Sequence, residues 1–378
     1  MLEGTRAETE PVLDSGLLDV LREASVRTAR SGRPDEEALR AVRGSGLLGL
    51  VVPVEYGGAG RGASEVNAVV GEVARVDPST AIILFQHYAV SARISEWGTP
   101  AQQARLLPEM AAGRVLAASA WSETGAGAAK KRLASTGRAD ADGFWTLDGA
   151  KSFTTGAGIA DLYLVLVQTS EAEPETKLDD SRYGSQGQTF FLVGADNPGL
   201  TPDLSLDLAG MRGSATGFVS LSGCRVADED RLGPLGRATE IIAGVRETGA
   251  TLGAVSAGIA RALLELARAH AARAGVSADS PLSARLVDLA TSVEAIQAVV
   301  TRAGRREAPE PGIATLHSKL FASQAAEQIA LEVSRLMGSA GYVMNHRLNT
   351  LLADARAVAL MGPANQLCRE LIAVSWQR

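Results

Sequence analysis

The stretch Leu116–Trp121 runs into Trp121-Ser122-Glu123-Thr124-Gly125-Ala126-Gly127-Ala128-Ala129, and the sequence changes period at this junction. Before it, apolar residues recur at helical spacing. Leu13, Leu17, Leu18, Val20 and Leu21 mark a helix over 12–30, Ser-Gly-Arg-Pro at 31–34 breaks it, and 36–48 repeats the pattern. Residues 51–62 read as a glycine-rich loop, and helices follow at 64–76, 79–97 and 100–112. After the junction come short runs rich in strand formers: 133–139, 144–147, 162–168, 189–193 and 218–226. Asp142-Gly143, Asp148-Gly149 and Asn197-Pro198-Gly199 separate them as turns. This middle section predicts a compact antiparallel sheet, with the polar stretch 171–188 as a long exposed loop. Helical patterns then return at 238–272, 283–303, 312–337 and 349–375, four long segments that predict a bundle. The expected fold is α+β in three domains: helical over 1–113, β over 114–235 and a helical bundle over 236–378.

Composition narrows the chemistry. The 378 residues are 46% hydrophobic and 21% charged, enough for a real core and too apolar for global disorder. Two cysteines, Cys224 and Cys368, exclude a disulfide scaffold and a cysteine-rich zinc site and read as small core residues. Four scattered histidines lack metal-ligand spacing. A net charge of −6 and 4% aromatics argue against nucleic acid as a partner. No run has the roughly 20 apolar residues of a membrane span, and the start has no secretory pattern, so a cytoplasmic location is expected. Gly57–Gly62 does not read as a dinucleotide fingerprint, because no strand precedes it.

The order helical, β, helical, together with five strings, resembles the acyl-CoA dehydrogenase family over nearly the whole chain. The Trp121–Ala129 string is similar to a family string that runs over the flavin, and Lys151-Ser152-Phe153-Thr154-Thr155-Gly156 to its Lys-x-Trp-Ile-Thr-Asn string. Gly210-Met211-Arg212-Gly213-Ser214-Ala215-Thr216 matches a Gly-x-Arg-x-Ser-x-Thr turn. Leu336-Met337-Gly338-Ser339-Ala340-Gly341-Tyr342 resembles a Leu-Gly-Gly-x-Gly-Phe loop, and Asp354-Ala355 stands in the last motif.

The resemblance implies an FAD cofactor. Trp121, Ser122, Phe153 and Thr155 would meet its ring, with Phe153 in the place of a tryptophan. Arg273, Gly338 and Gln366 would reach the rest of it, Arg273 from a neighbouring subunit. It also implies a carboxylate that removes the α-proton of an acyl thioester while hydride leaves the β-carbon. Gly362 stands where most members carry that glutamate. In the isovaleryl and long-chain types the glutamate lies earlier, and two anchors place Glu247 there: Gly236, 11 residues before it, and Arg273, 26 after.

Ala128, Thr248, Met361 and Gly362 would border the substrate. Thr248 replaces an arginine and Ala128 a serine, which leaves open a CoA or an acyl carrier protein thioester. A homodimer or homotetramer and an electron-accepting flavoprotein or dioxygen complete the expectation. The rivals are a flavin-dependent monooxygenase on the same fold and a non-catalytic subunit of a heteromeric dehydrogenase. His87, on a helix that lines the acyl site in the family, is a reserve pocket residue.

Overall fold

A computed structural model describes residues 13–126, 130–170 and 183–377. The first layer is helical: α1 (Ser15–Ser31), α2 (Glu36–Gly44), α3 (Ala63–Val76), α4 (Pro78–Trp97) and α5 (Pro100–Ala111). Side chains that accept the free N–H groups of the first turn set their starts. Asp14 takes Leu17 N–H, Asp35 takes Ala38 N–H, and Thr99 with Gln102 forms a reciprocal capping box.

The middle section is one sheet of β1 (Ala117–Ala120), β2 (Thr136–Ala139), β3 (Phe144–Thr154), β4 (Leu162–Gln168), β5 (Gln188–Gly194), β6 (Leu200–Asp203), β7 (Gly217–Ala227) and β8 (Arg231–Leu232). The strand order is β6-β7-β3-β2-β4-β5-β8, with β1 on β4. Most pairs are antiparallel, but β1 and β2 both lie parallel to β4, so the sheet is mixed. β4 shows why its sequence is an unbroken apolar run. Leu162, Leu164 and Leu166 face the helices, while Tyr163, Val165 and Val167 face a core inside the sheet domain with Trp145 and Phe191. β3 runs past the expected 144–147 to Thr154, and β6 and β8 were not legible as strands because they are short and polar-flanked.

The C-terminal section holds α6 (Ala238–Glu247), α7 (Gly253–Arg273), α8 (Pro281–Arg305), α9 (Pro311–Met337), α10 (Arg347–Leu360) and α11 (Asn365–Ser375). α7, α8, α9 and α10 pack as the bundle, with α6 and α11 against α9. Two expected helices are each broken. The segment 238–272 divides at 248–252, where Gly249 is left-handed (φ +85°). Asn67 on α3 donates to Gly249 O (3.0 Å) and accepts from Thr251 N (3.0 Å), so a distant side chain satisfies the broken turn. The segment 349–375 divides at 361–364, where Pro363 supplies no N–H. The end of the expected exposed loop is also corrected: Tyr183 and Gln188 are buried. The remainder of that loop, 171–182, lies outside the described residues.

Candidate active site

Three strand ends and turns build one wall. Ser152 N–H donates to Ser122 O (2.8 Å), which lays the Trp121–Ala126 loop along the end of β3. Beneath it Lys151 Nζ meets Glu123 Oε1 at 2.5 Å, and both side chains are buried. Glu123 also accepts Ala134 N–H (2.6 Å). The Lys151 ammonium and these donors hold the Glu123 carboxyl below its usual range against the opposing effect of burial, the largest single influence. Burial pushes Lys151 down to about 8.

Above this pair Phe153 is left-handed (φ +53°) and its side chain is 65% exposed. Bulky residues avoid that backbone region, so an aromatic held there and turned outward makes this wall a candidate functional site. Thr155 lies beside it with its hydroxyl 3.0 Å from that of Thr216, which contacts Ser214 Oγ at 2.8 Å. Trp121 packs on Phe190 with ring centroids 4.9 Å apart. The wall thus brings together Trp121, Ser122, Phe153 and Thr155. An outward aromatic face with the Thr155–Thr216 hydroxyl pair beside it fits a planar ring system such as a flavin.

The second feature is a cavity of about 1560 Å³ between the start of α3, the middle of α4, the end of α6 and the end of α8. Phe85, Tyr88, Ala89, Gly244, Glu247 and Thr248 are among the residues that line it. The small side chains along α4 and α6 leave this space open. Glu247 is exposed, and its Oε2 accepts Gly312 N–H (3.2 Å) at the first turn of α9. The positive end of that helix suits a carboxylate. Glu310, the residue that precedes α9, makes no side-chain cap, so Glu247 takes that duty from another helix. Thr248 donates to Val245 O (2.8 Å) and accepts Ala250 N–H (3.2 Å), which uses its hydroxyl to end α6.

The other expected site residues are spread further. Met361 and Gly362 form the α10–α11 junction outside the lining of that cavity. Gln366 donates to Glu370 Oε1 (3.1 Å) on its own helix. Arg273 and Gly338 are exposed at the ends of α7 and α9. Ala128 lies outside the described residues.

His87 is a core residue. Its Nδ1 accepts Ala117 N–H (3.1 Å) and its Nε2 donates to Leu48 O (2.9 Å), and burial pushes it down to about 4, so it is neutral at pH 7. Cys224 and Cys368 are buried free thiols. Lys130 and Tyr183, buried near Gly362, carried no sequence signal, because nothing local separates them from surface residues.

Family models for the N-terminal, middle and C-terminal domains of acyl-CoA dehydrogenases match residues 16–114, 118–224 and 241–376. The chain is 30% identical over 343 residues to a protein from Mycobacterium tuberculosis named "Probable acyl-CoA dehydrogenase FadE25", covering 88% of this chain and 85% of that one. It is 27% identical over 340 residues to the L-prolyl-[peptidyl-carrier protein] dehydrogenase of Pseudomonas fluorescens, covering 87% of each. The butyryl-CoA dehydrogenase structure from Megasphaera elsdenii shares the fold at a TM-score of 0.82 and 22% identity, over 98% of this chain and 100% of that one. The protein therefore belongs to the acyl-CoA dehydrogenase family, a family of flavoproteins. No helix among the described residues is long and apolar enough to cross a membrane.

Proposed function

We propose that the protein is an FAD-dependent dehydrogenase of an acyl thioester, with Glu247 as the base. The observation that carries this reading is the position of Glu247: an exposed carboxylate on the wall of a cavity of about 1560 Å³, on the second of the two sequence positions where the family places its base. The first of these positions is Gly362, which has no side chain to offer. The flavin would accept the hydride from the β-carbon. Glu247 takes the α-proton of the thioester as the hydride leaves the β-carbon.

Trp121, Ser122, Phe153 and Thr155 would hold the ring, Phe153 by stacking and the two hydroxyls by hydrogen bonds. Arg273, Gly338 and Gln366 would hold the adenine dinucleotide portion of FAD, with Arg273 acting across a subunit boundary. That arrangement needs a homodimer or homotetramer. Thr248, Met361, Gly362 and Ala128 would border the thioester. Its carrier is CoA or an acyl carrier protein, the latter supported by the carrier-protein relative. Electrons leave to a flavoprotein or to dioxygen. We take the domains as 1–113, 114–235 and 236–378 and, with both cysteines free, the cytoplasm as the location.

The test is anaerobic bleaching of the bound flavin by acyl-CoA and acyl-carrier thioesters. Wild-type protein should bleach. Glu247→Gln should retain flavin and lose bleaching by at least about a hundredfold, the scale of general-base catalysis. Bleaching that survives in Glu247→Gln sinks the assigned base. Flavin that is reduced only by a nicotinamide and then consumes dioxygen with substrate favours the monooxygenase instead.

A further inference from the structure

Glu247 ends α6, and its carboxylate lies on Gly312 at the start of α9. Its Oε2 accepts Gly312 N–H at 3.2 Å. A Cβ placed on Gly312 would lie 2.1 Å from Glu247 Oε1, 2.8 Å from its Cδ and 3.3 Å from Oε2. These are the three atoms nearest to that Cβ, so the carboxylate occupies the space that a side chain at 312 would take. Gly312 is buried in the first turn of α9 and has no positive φ. Glycine is a poor residue for a helix, so its use there calls for another reason.

Among the described residues, Gly312 N–H is the one hydrogen-bond donor to the Glu247 carboxylate. The end of α6 gives an anion no attraction, since free carbonyls make it the negative end of that helix, whereas the start of α9 is positive. Pro311 has no N–H and Glu310 makes no side-chain cap, so Gly312 N–H is left for a carboxylate from another helix. An exposed glutamate otherwise spreads over many rotamers. Glu247 lines the cavity of about 1560 Å³, and Gly312 is not part of that wall. Any effect of Gly312 on a ligand in the cavity therefore passes through Glu247.

We propose that Gly312 is a positioning residue for Glu247: its bare Cα and its N–H seat the carboxylate at one place on the cavity wall, with Oε1 left to take the α-proton. This rests on the reading of Glu247 as the base and adds what fixes that base relative to the thioester. A Cβ does not approach another heavy atom within 3.0 Å, so a methyl group at 312 moves the carboxylate by about 1 Å. A misplacement of about that size costs on the order of a hundredfold in rate. The atoms that must yield are the free end of a flexible side chain, so the carboxylate moves and the helix stays.

The test is anaerobic single-turnover bleaching of the flavin-loaded enzyme by butyryl-, isovaleryl- and octanoyl-CoA and by the same acyl groups on an acyl carrier protein. The rate constant at saturating thioester and the half-saturating concentration are read separately. Gly312→Ala should lower the rate constant at least about tenfold and leave half-saturation within about twofold. In Glu247→Gln, whose residual rate does not use the base, adding Gly312→Ala should lower the rate no further. A smaller fall in Gly312→Ala overturns the proposal, as does an equal fall in both backgrounds, which marks a structural effect. Alanine is a better helix former than glycine, and an aspartate in the first turn suits the positive end of α9. Should Gly312→Ala fail to fold, an undiminished rate in Gly312→Asp, whose own carboxylate fills the seat and repels Glu247, overturns the proposal alone. Undiminished bleaching in Glu247→Gln overturns the assigned base as well, and no bleaching of the wild type by any thioester overturns the acyl-thioester reading. A wild-type rate in Gly312→Ala beside an inactive Glu247→Gln overturns only the positioning role.

Discussion

Glu247 combines one observed task, capping α9, with one proposed task, and substitutions separate them. As the proposed base it needs an ionisable oxygen; as the cap of α9 it needs only an acceptor for Gly312 N–H. Glu247→Gln should therefore keep the thermal stability of the wild type while losing flavin reduction. Glu247→Ala loses both and should be less stable than Glu247→Gln by about 1 kcal/mol, the usual worth of a helix cap, read from paired denaturation curves. The Glu123–Lys151 pair behaves differently because it is buried on both sides. Lys151→Met leaves Glu123 charged, desolvated and short of a partner, and should cost about 3–5 kcal/mol of unfolding free energy by chemical denaturation. The sequence placed both residues inside family-like strings without giving them work. A salt bridge needs two side chains brought from different strings, and spacing along the chain cannot supply that.

The close approach of α3 and α7 depends on glycine. A Cβ at Gly258 would run into Gly71 O, the Ala74 side chain and Arg75 N, so the two backbones meet where Gly258 has no side chain. A Cβ at Gly71 meets only Ala254 O at 3.5 Å, an ordinary contact. Gly258→Ala should lower the denaturant midpoint by the equivalent of about 1–3 kcal/mol with an unchanged slope. Gly71→Ala should be close to neutral. Helix periodicity revealed that both segments are helices, and their alanine bias fits them to pack closely. It could not reveal that 238–272 is two helices. The break at 248–252 depends on Asn67, a residue 182 positions from Gly249 that only the fold brings there.

At the scale of the whole molecule, three sections meet at a buried acidic junction. Asp77 caps α4, accepting Ser79 N–H and Thr80 N–H. Asp354 on α10 accepts Met211 N–H (2.6 Å) from the turn before β7. Arg347, which donates to Arg75 O and Val76 O, is the cation that faces both acids. Burial pushes Asp77 up to about 6 and Asp354 up to about 7, and in Asp354 the Asp77 charge adds to the rise. In the unfolded chain both titrate near pH 3.9. Between that value and about 7 the folded state binds more protons than the unfolded one, so this junction loses stability as pH rises through that window. The expected outcome is a melting temperature whose contribution from the junction falls between about pH 4 and pH 7 and levels off above that. Asp354→Asn, which cannot ionise but still accepts Met211 N–H, should flatten that fall. An equally steep fall in the variant would remove Asp354 as its source.

The sequence by itself determined the α+β class, the three-part order and the family, because periodicity and short strings are local properties of the chain. It also pointed to Glu247 as the proposed base and left Gly362 without a carboxylate. Only the tertiary structure decided that Glu247 faces a cavity and caps α9, that His87 is a neutral core residue, and that Lys130 and Tyr183 converge on Gly362. Each of those depends on burial and on partners far apart along the chain. Desolvation and a hydrogen bond are set by what surrounds a group in space, which spacing along the chain does not contain.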